Sequence, residues 1–216
     1  PPPAAGAIGP NLLARENARC AAVFGSQVHA ETQLKALAAV RNLTEVRVFS
    51  PNATRRAAFA EKLGRELQIA VLPASSADQA LATADVVITA TNSMTPVFDG
   101  RLLREGTHIT SIANGDKTRI RHEIDVLTLR RAAPVFITSK MTVCANESDI
   151  FRGVRDGVIS WQQVHEISDL LLGKVCGRTD ERQITLFKLQ GTGIMDVAIG
   201  RCANEKIKNG DLAQRL

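Results

Sequence analysis

The chain contains no tyrosine. That excludes any mechanism built on a tyrosine proton donor, including the Tyr–Lys pair of short-chain dehydrogenases. Tryptophan occurs once and phenylalanine seven times. So few aromatics cannot interleave with the basic residues, and a nucleic-acid surface is unsupported. The four cysteines, Cys20, Cys144, Cys176 and Cys202, lie far apart with no CxxC among them. They read as reduced, mostly buried thiols, and no metal site is expected. No apolar run approaches the roughly 20 residues that cross a bilayer. The opening "PPPAAGAIGP" has no basic segment ahead of an apolar one, so it does not read as a signal peptide. The expected location is the cytoplasm, away from membranes.

What is present suits a globular protein. With 216 residues, 44% hydrophobic and 23% charged, the chain is long enough for one sizeable core or a domain with an appendage. The net charge of +5 comes from scattered residues: Arg55 and Arg56, Arg119 and Arg121, Arg130 and Arg131. A phosphorylated small molecule would use a few of these.

From residue 20 to 140, short apolar runs alternate with helical stretches. Strands are expected at 20–25, 45–50, 69–72, 85–91, 107–113 and 134–139. Helices are expected at 28–40, with Val28, Leu34, Leu37 and Ala38 inward, at 53–65, with Phe59 and Leu63 inward, and at 76–83, opened by Ser75 or Ser76. The strands are continuously apolar, which implies a parallel sheet covered on both faces. The fold class is therefore α/β, a doubly wound sheet of Rossmann type. After 140 the pattern changes: a helix at 160–173, a strand at 183–191 and a last helix at 192–208 are expected to pack back over the sheet. Three parts are expected: a linker or helix remnant over 1–19, a dinucleotide-binding domain over 20–140, and a C-terminal segment over 141–216. The three prolines running straight into "NLLAR" read as a fragment, or as a start at an internal domain boundary.

The stretch "AAVFGSQVHA" carries the first chemical signal. A dinucleotide turn uses one glycine to leave the strand, a second to let the backbone approach the pyrophosphate, and a small third residue for close packing. Gly25 supplies the first and Ala30 the third, but Gln27 occupies the second. The amides of Val28 and His29 at the helix start still favour an anion, with Ser26 beside them and the His29 imidazole near the phosphates. The plain alternative is a structural strand–helix turn. In "FSPNATRR" no acid follows the second strand to hold ribose hydroxyls. Ser50, Asn52, Thr54 and Arg55 instead suit a 2′-phosphate, which favours NADP slightly over NAD. Thr89, Thr91, Asn92 and Ser93, at the end of the fourth strand, are expected to line the cofactor crevice. The alternative for "TNS" is a capped turn.

Together "VFGSQVHAETQLKAL", "ITATNSMTPVFDG", "GTHITSI", "HEID" and "GRTDERQITLFKLQGTGIMDVA", in this order, resemble the ornithine cyclodeaminase/mu-crystallin family over nearly the whole chain. The resemblance implies an NAD(P)-dependent, usually dimeric oxidoreductase or lyase acting on an amino acid or a small cyclic imine. Ornithine cyclodeaminases, alanine dehydrogenases and ketimine reductases are members. It also implies a substrate and dimerisation domain upstream, whose carboxylate-binding residues this chain lacks. Asp116 lies within a residue of the acid that relays the proton in cyclodeaminases, though it reads equally as an exposed turn aspartate. Ile112, Ala113 and Asn114 fall where the cofactor would pass the fifth strand. Gln190, in "FKLQG", is expected at the nicotinamide or substrate pocket. Because the substrate half is absent, a non-catalytic nucleotide-binding or oligomerising module is the alternative. His108 is expected to be structural, His122 and Glu123 to begin a helix with a solvent face, His165 and Glu166 to sit on a helix, Asp196 to cap backbone, and Lys188 to pair with an acid.

Overall fold

The structure is a computed structural model that describes residues 3–112, 121–145 and 147–208. A helix α1 (Pro3–Leu13) leads into β1 (Cys20–Phe24), α2 (Val28–Ala38), β2 (Glu45–Phe49), α3 (Ala53–Leu67), β3 (Ala70–Pro73), α4 (Ala77–Leu81), β4 (Val86–Thr89) and β5 (His108–Ser111). Then come α5 (Val126–Arg131), β6 (Ala132–Ile137), α6 (Lys140–Ala145), α7 (Asp149–Arg155), β7 (Val164–Glu166), α8 (Ile167–Leu171), β8 (Ile184–Lys188) and α9 (Gly193–Lys208). The strands form one sheet in the order β3-β2-β1-β4-β5-β8-β6-β7, and every pairing is parallel.

Burial follows position in the sheet. Every residue of β4, β5 and β8 is buried, whereas β3, at one edge, buries one residue in four. Alternate side chains feed two faces, as the pleat requires. Ala22, Phe24, Val87, Ile109 and Leu186 pack with Leu81, Phe98, Leu129 and Ile150 on one side. Ala21, Val23, Val46, Val48 and Ile88 pack with Leu34, Leu37, Phe59 and Leu63 on the other. Local signals start the helices where expected. The Asn52 side chain accepts from the Arg55 amide at α3, and Ser76 accepts from the Gln79 amide at α4.

Three expectations are corrected. Residues 160–173 do not form one helix. Ser160 and Gln163 make a capping box that closes a single 3-10 turn, and residues 164–166 then pair with Val135, Phe136 and Ile137 of β6. His165 and Glu166 are therefore on an edge strand, because strand pairing outweighs local helix preference. Val28 is not inward; it is 72% exposed at the first position of α2, and the buried face begins at Ala30. The thiols are unpaired, but Cys144, Cys176 and Cys202 are exposed, since none lies on a core strand. The stretch after residue 140 does more than cover the sheet: it supplies β7 at the edge and β8 between β5 and β6.

Candidate functional site

The chain runs from β1 outward through β2 to β3, then crosses to β4 on the other side of β1. At such a switch point the connections leave in opposite directions and open a crevice at the carboxyl ends of the strands, where α/β proteins bind ligands. The residues that end β1, β2 and β4 meet here.

Gly25 leaves β1 with φ +115°, a region that side chains rarely adopt. Its amide donates to the Phe49 carbonyl at 2.9 Å, and a Cβ on it would lie 2.4 Å from the Ala90 carbonyl oxygen. The turn therefore passes so close to the end of β4 that only glycine fits. The same Cβ would be 3.6 Å from that of Ala30, which is why the third position must be small. Gln27 is different. It is the N-cap of α2 with φ −116° and ψ −178°, extended backbone open to any residue. Its side chain makes no capping hydrogen bond and is exposed, as are Val28 and His29. The first amides of α2 thus keep their anion-attracting character without a second glycine.

At the end of β2, the Ser26 and Ser50 hydroxyls lie 2.9 Å apart, so the two turns are joined side by side. Asn52 is occupied as the cap of α3. Arg56 donates to the Ser50 carbonyl and lies over the Phe49 ring, 5.6 Å from its centroid. Thr54 and Arg55 stay exposed on the first turn of α3.

The end of β4 is held from below. Glu123 is fully buried and its carboxylate accepts from Thr89 Oγ1 at 2.8 Å, from the Thr91 amide at 2.6 Å, from Thr91 Oγ1 at 2.8 Å and from Ser111 Oγ at 3.0 Å. Thr89 is thus part of the support and not of the lining. Thr91 and Ser93 are half-buried and Asn92 is exposed. Ser93 Oγ donates to the Thr95 carbonyl at 2.6 Å, so the capped turn is also present. His122 and Glu123 do not begin a helix on a solvent face. They precede α5, and the carboxylate is drawn inward because four donors at the ends of β4 and β5 need one acceptor.

Next to Glu123 the polar interior continues. Lys188, at the end of β8, is fully buried. Its Nζ donates to Ser111 Oγ at 2.8 Å and to Asp149 Oδ2 at 3.0 Å, so the expected acid partner is Asp149. Burial works against the Asp149 charge, but the Lys188 ammonium and the His122 ring hold its pKa below the ordinary carboxylate value. Glu123 and Asp149 were missed in the sequence as members of this cluster. The only local hint was an acid just before α5 and another at the start of α7.

Ile112 follows β5 half-buried, its amide donating to the Thr89 carbonyl. Gln190 is buried past β8, its amide donating to Thr138 Oγ1 at 2.9 Å. Asp116, Ala113 and Asn114 lie outside the described residues. Asp196 lies on α9. His108 is structural: fully buried, it bonds Thr185 Oγ1 at 2.9 Å and Thr110 Oγ1 at 3.0 Å. A cavity of about 450 Å³ lined by Arg15, Arg41 and Arg178 lies at the other end of the strands, among the segments that lead into β1, β2 and β8. Its arginines are engaged there. Arg41 donates to the carbonyls of Asn11, Ala14 and Arg15, and Arg178 to that of Leu13, so both close the carboxyl end of α1.

Known proteins are similar to this chain in sequence and fold. A protein of Rhizobium meliloti named as a dehydrogenase is 34% identical over 96% of this chain and 62% of its own length. The alanine dehydrogenase of Archaeoglobus fulgidus is 29% identical over 99% of this chain and 64% of its own. The delta-1-pyrroline-2-carboxylate reductase of Thermococcus litoralis, solved with NADH and L-proline, superposes with a TM-score of 0.90 at 32% identity, covering 96% of this chain and 64% of that one. The chain thus spans somewhat under two thirds of the length of these relatives. The family model described as the ornithine cyclodeaminase/mu-crystallin family matches residues 3–211, and the chain belongs to that family.

Proposed function

We propose that this chain is the nicotinamide-cofactor-binding portion of an oxidoreductase that acts on an amino acid or a small cyclic imine, of the ornithine cyclodeaminase or pyrroline-carboxylate reductase type. The observation that carries the reading is the turn at Gly25. Its positive φ and its close approach to the end of β4 admit glycine alone. They set the N-terminus of α2 beside the crevice, where a pyrophosphate fits. Relatives solved with NADH or NAD support the same group.

Gly25, Ser26 and the amides of Val28 and His29 would hold the pyrophosphate. Thr91, Asn92 and Ser93 would line its path along β4, with Ile112 and Gln190 toward the far side. Ser50, Thr54 and Arg55 would take the adenosine ribose. No carboxylate stands among these last residues, and an exposed guanidinium does, so a 2′-phosphate is favoured and NADP is preferred over NAD. The bound nicotinamide would supply hydride exchange with the carbon that bears the amine or imine nitrogen. The chain's own share is to fix the crevice walls, which Glu123 does by joining β4 to β5, and to move a proton. Asp116 is the acid that the family resemblance nominates for that step. A homodimer and the substrate's carboxylate contacts are assigned to the portion of the relatives that this chain does not span.

A calorimetric titration of the folded chain with NADPH and then NADH tests the reading. Micromolar binding, tighter for NADPH and inverted by Arg55→Glu, is expected. A folded chain that binds neither is a nucleotide-fold module without its ligand, and the enzyme reading falls.

A further inference from the structure

One group in the polar interior has no assigned work. His122 follows the segment after β5, and its amide donates to the Ser93 carbonyl, just beyond β4, at 2.9 Å. Its Nδ1 lies 2.8 Å from Asp149 Oδ1, at ion-pair distance though out of line for a hydrogen bond. The other oxygen of Asp149 takes the Lys188 ammonium at the end of β8. His122 therefore links the loop beyond β4 to Asp149 of α7, which Lys188 ties to the end of β8, on the side of the switch point opposite the α2 turn. Its side chain retains 21% exposure. Its Nε2 is buried and has no hydrogen-bond partner among the described residues.

A buried carboxylate behind an imidazole is the arrangement by which proteins position a histidine for proton transfer. Lys188 fits that arrangement, because it keeps Asp149 ionised in the interior. The charged neighbours among the described residues are Asp149 from α7, Lys188 from β8, and Glu123, the next residue in the chain.

We propose that His122, at ion-pair distance from Asp149, transfers the proton at the nicotinamide end of the crevice, in place of Asp116, which the family resemblance nominates. The assignment rests on the function proposed above. In imine reduction the carbon of the C=N bond accepts hydride from a dihydronicotinamide, which is oxidised. The π electrons move to nitrogen, and nitrogen takes the proton from Nε2 of the imidazolium, leaving a neutral imidazole and an amine. Amine oxidation runs the same transfers backwards.

The test uses proximity and charge. The oxidised nicotinamide ring is cationic and the reduced ring is neutral, so a histidine beside it titrates at lower pH in the NADP+ complex than in the NADPH complex. The four histidine ring signals, from His29, His108, His122 and His165, are followed by nitrogen–proton NMR across pH. The His122 signal is identified by its loss in His122→Asn and, by elimination, from His29→Asn and His165→Asn. Saturation with each cofactor is established by calorimetry. The His122 midpoint is expected to fall by about one pH unit from NADPH to NADP+, with His165 unmoved. Equal midpoints in two saturated complexes overturn the assignment and leave His122 as a structural partner of Asp149. A folded chain that binds neither cofactor removes the function reading, and this assignment with it.

Discussion

The two sides of the crevice are built from different materials. Beneath β1, β2 and β3 the interior is nearly all hydrocarbon, and the only buried polar side chains among the described residues are Gln33 and Ser50. Beneath β4, β5, β6 and β8 lie six buried polar residues in two sets of hydrogen bonds: His108 with Thr185, and Ser111, Glu123, Asp149 and Lys188 joined together. The first side shapes a backbone surface for a ligand and leaves its charges, such as Glu31 with Lys35 and Lys62, on the outside. The second side holds charges in the interior, where each is costly unless partnered. A site that moves protons needs the second kind of interior, and one that only grips phosphate does not.

The sharpest way to break the contrast is to remove one charge from each side. Lys188→Met leaves Asp149 buried without its ammonium and is expected to cost about 3–5 kcal/mol in chemical denaturation. Glu31→Gln removes a surface carboxylate from its two lysines and is expected to cost less than about 1 kcal/mol. Equal costs would mean that Lys188 is not the interior counter-charge.

Acid separates the sides next. Burial first, then the charges of Arg178 and Arg41, hold the His108 pKa at about 3 instead of 6.5. The unfolded chain takes up a proton below pH 6.5 and the folded chain does not, so this stability is complete above 6.5 and is lost as pH falls toward 3. Between pH 6.5 and 4 the loss amounts to about 3 kcal/mol. His108→Gln, which can still bond Thr110 and Thr185, is expected to flatten that slope in denaturation curves taken across the range.

On the first side the largest effect belongs to backbone. Gly25→Ala forces a Cβ against the Ala90 carbonyl in a strained conformation and is expected to cost about 1–3 kcal/mol. It should also weaken cofactor binding at least tenfold by widening the crevice. Gln27→Gly, in ordinary extended backbone with an exposed side chain, is expected to change stability by less than about 0.5 kcal/mol and cofactor affinity by no more than a few fold. If Gln27→Gly instead raised affinity a hundredfold, the turn would be a damaged site and not a tolerant one.

The same contrast explains what could be read from the sequence. The first side was legible because its signals are local. Gly25 and Ala30 sit five residues apart, Asn52 caps its own helix, and the strand–helix alternation gave the sheet. The second side was legible only in outline. Lys188 was expected to meet an acid, but Asp149 lies 39 residues away and Ser111 lies 77 away. No spacing rule connects them. Glu123 looked like a solvent residue because its four donors come from β4 and β5. Residues 160–173 looked helical because nothing local reveals that 164–166 lie against β6.

The position of β8 also affects how the chain can assemble. Its partners are β5 and β6, which precede it by many residues, so two neighbouring edges of the sheet stay apart until residues 184–188 have been made. During synthesis the protein is two unjoined leaves, each with an open parallel edge. The strand that closes the gap also brings the ammonium of Lys188 to the acid waiting at Asp149. Folding of high contact order is slow, and here one insertion joins the sheet and supplies the counter-charge of Asp149. A chain that ends before residue 184 therefore has two exposed strand edges and an Asp149 without its ammonium, features that chaperones and proteases recognise.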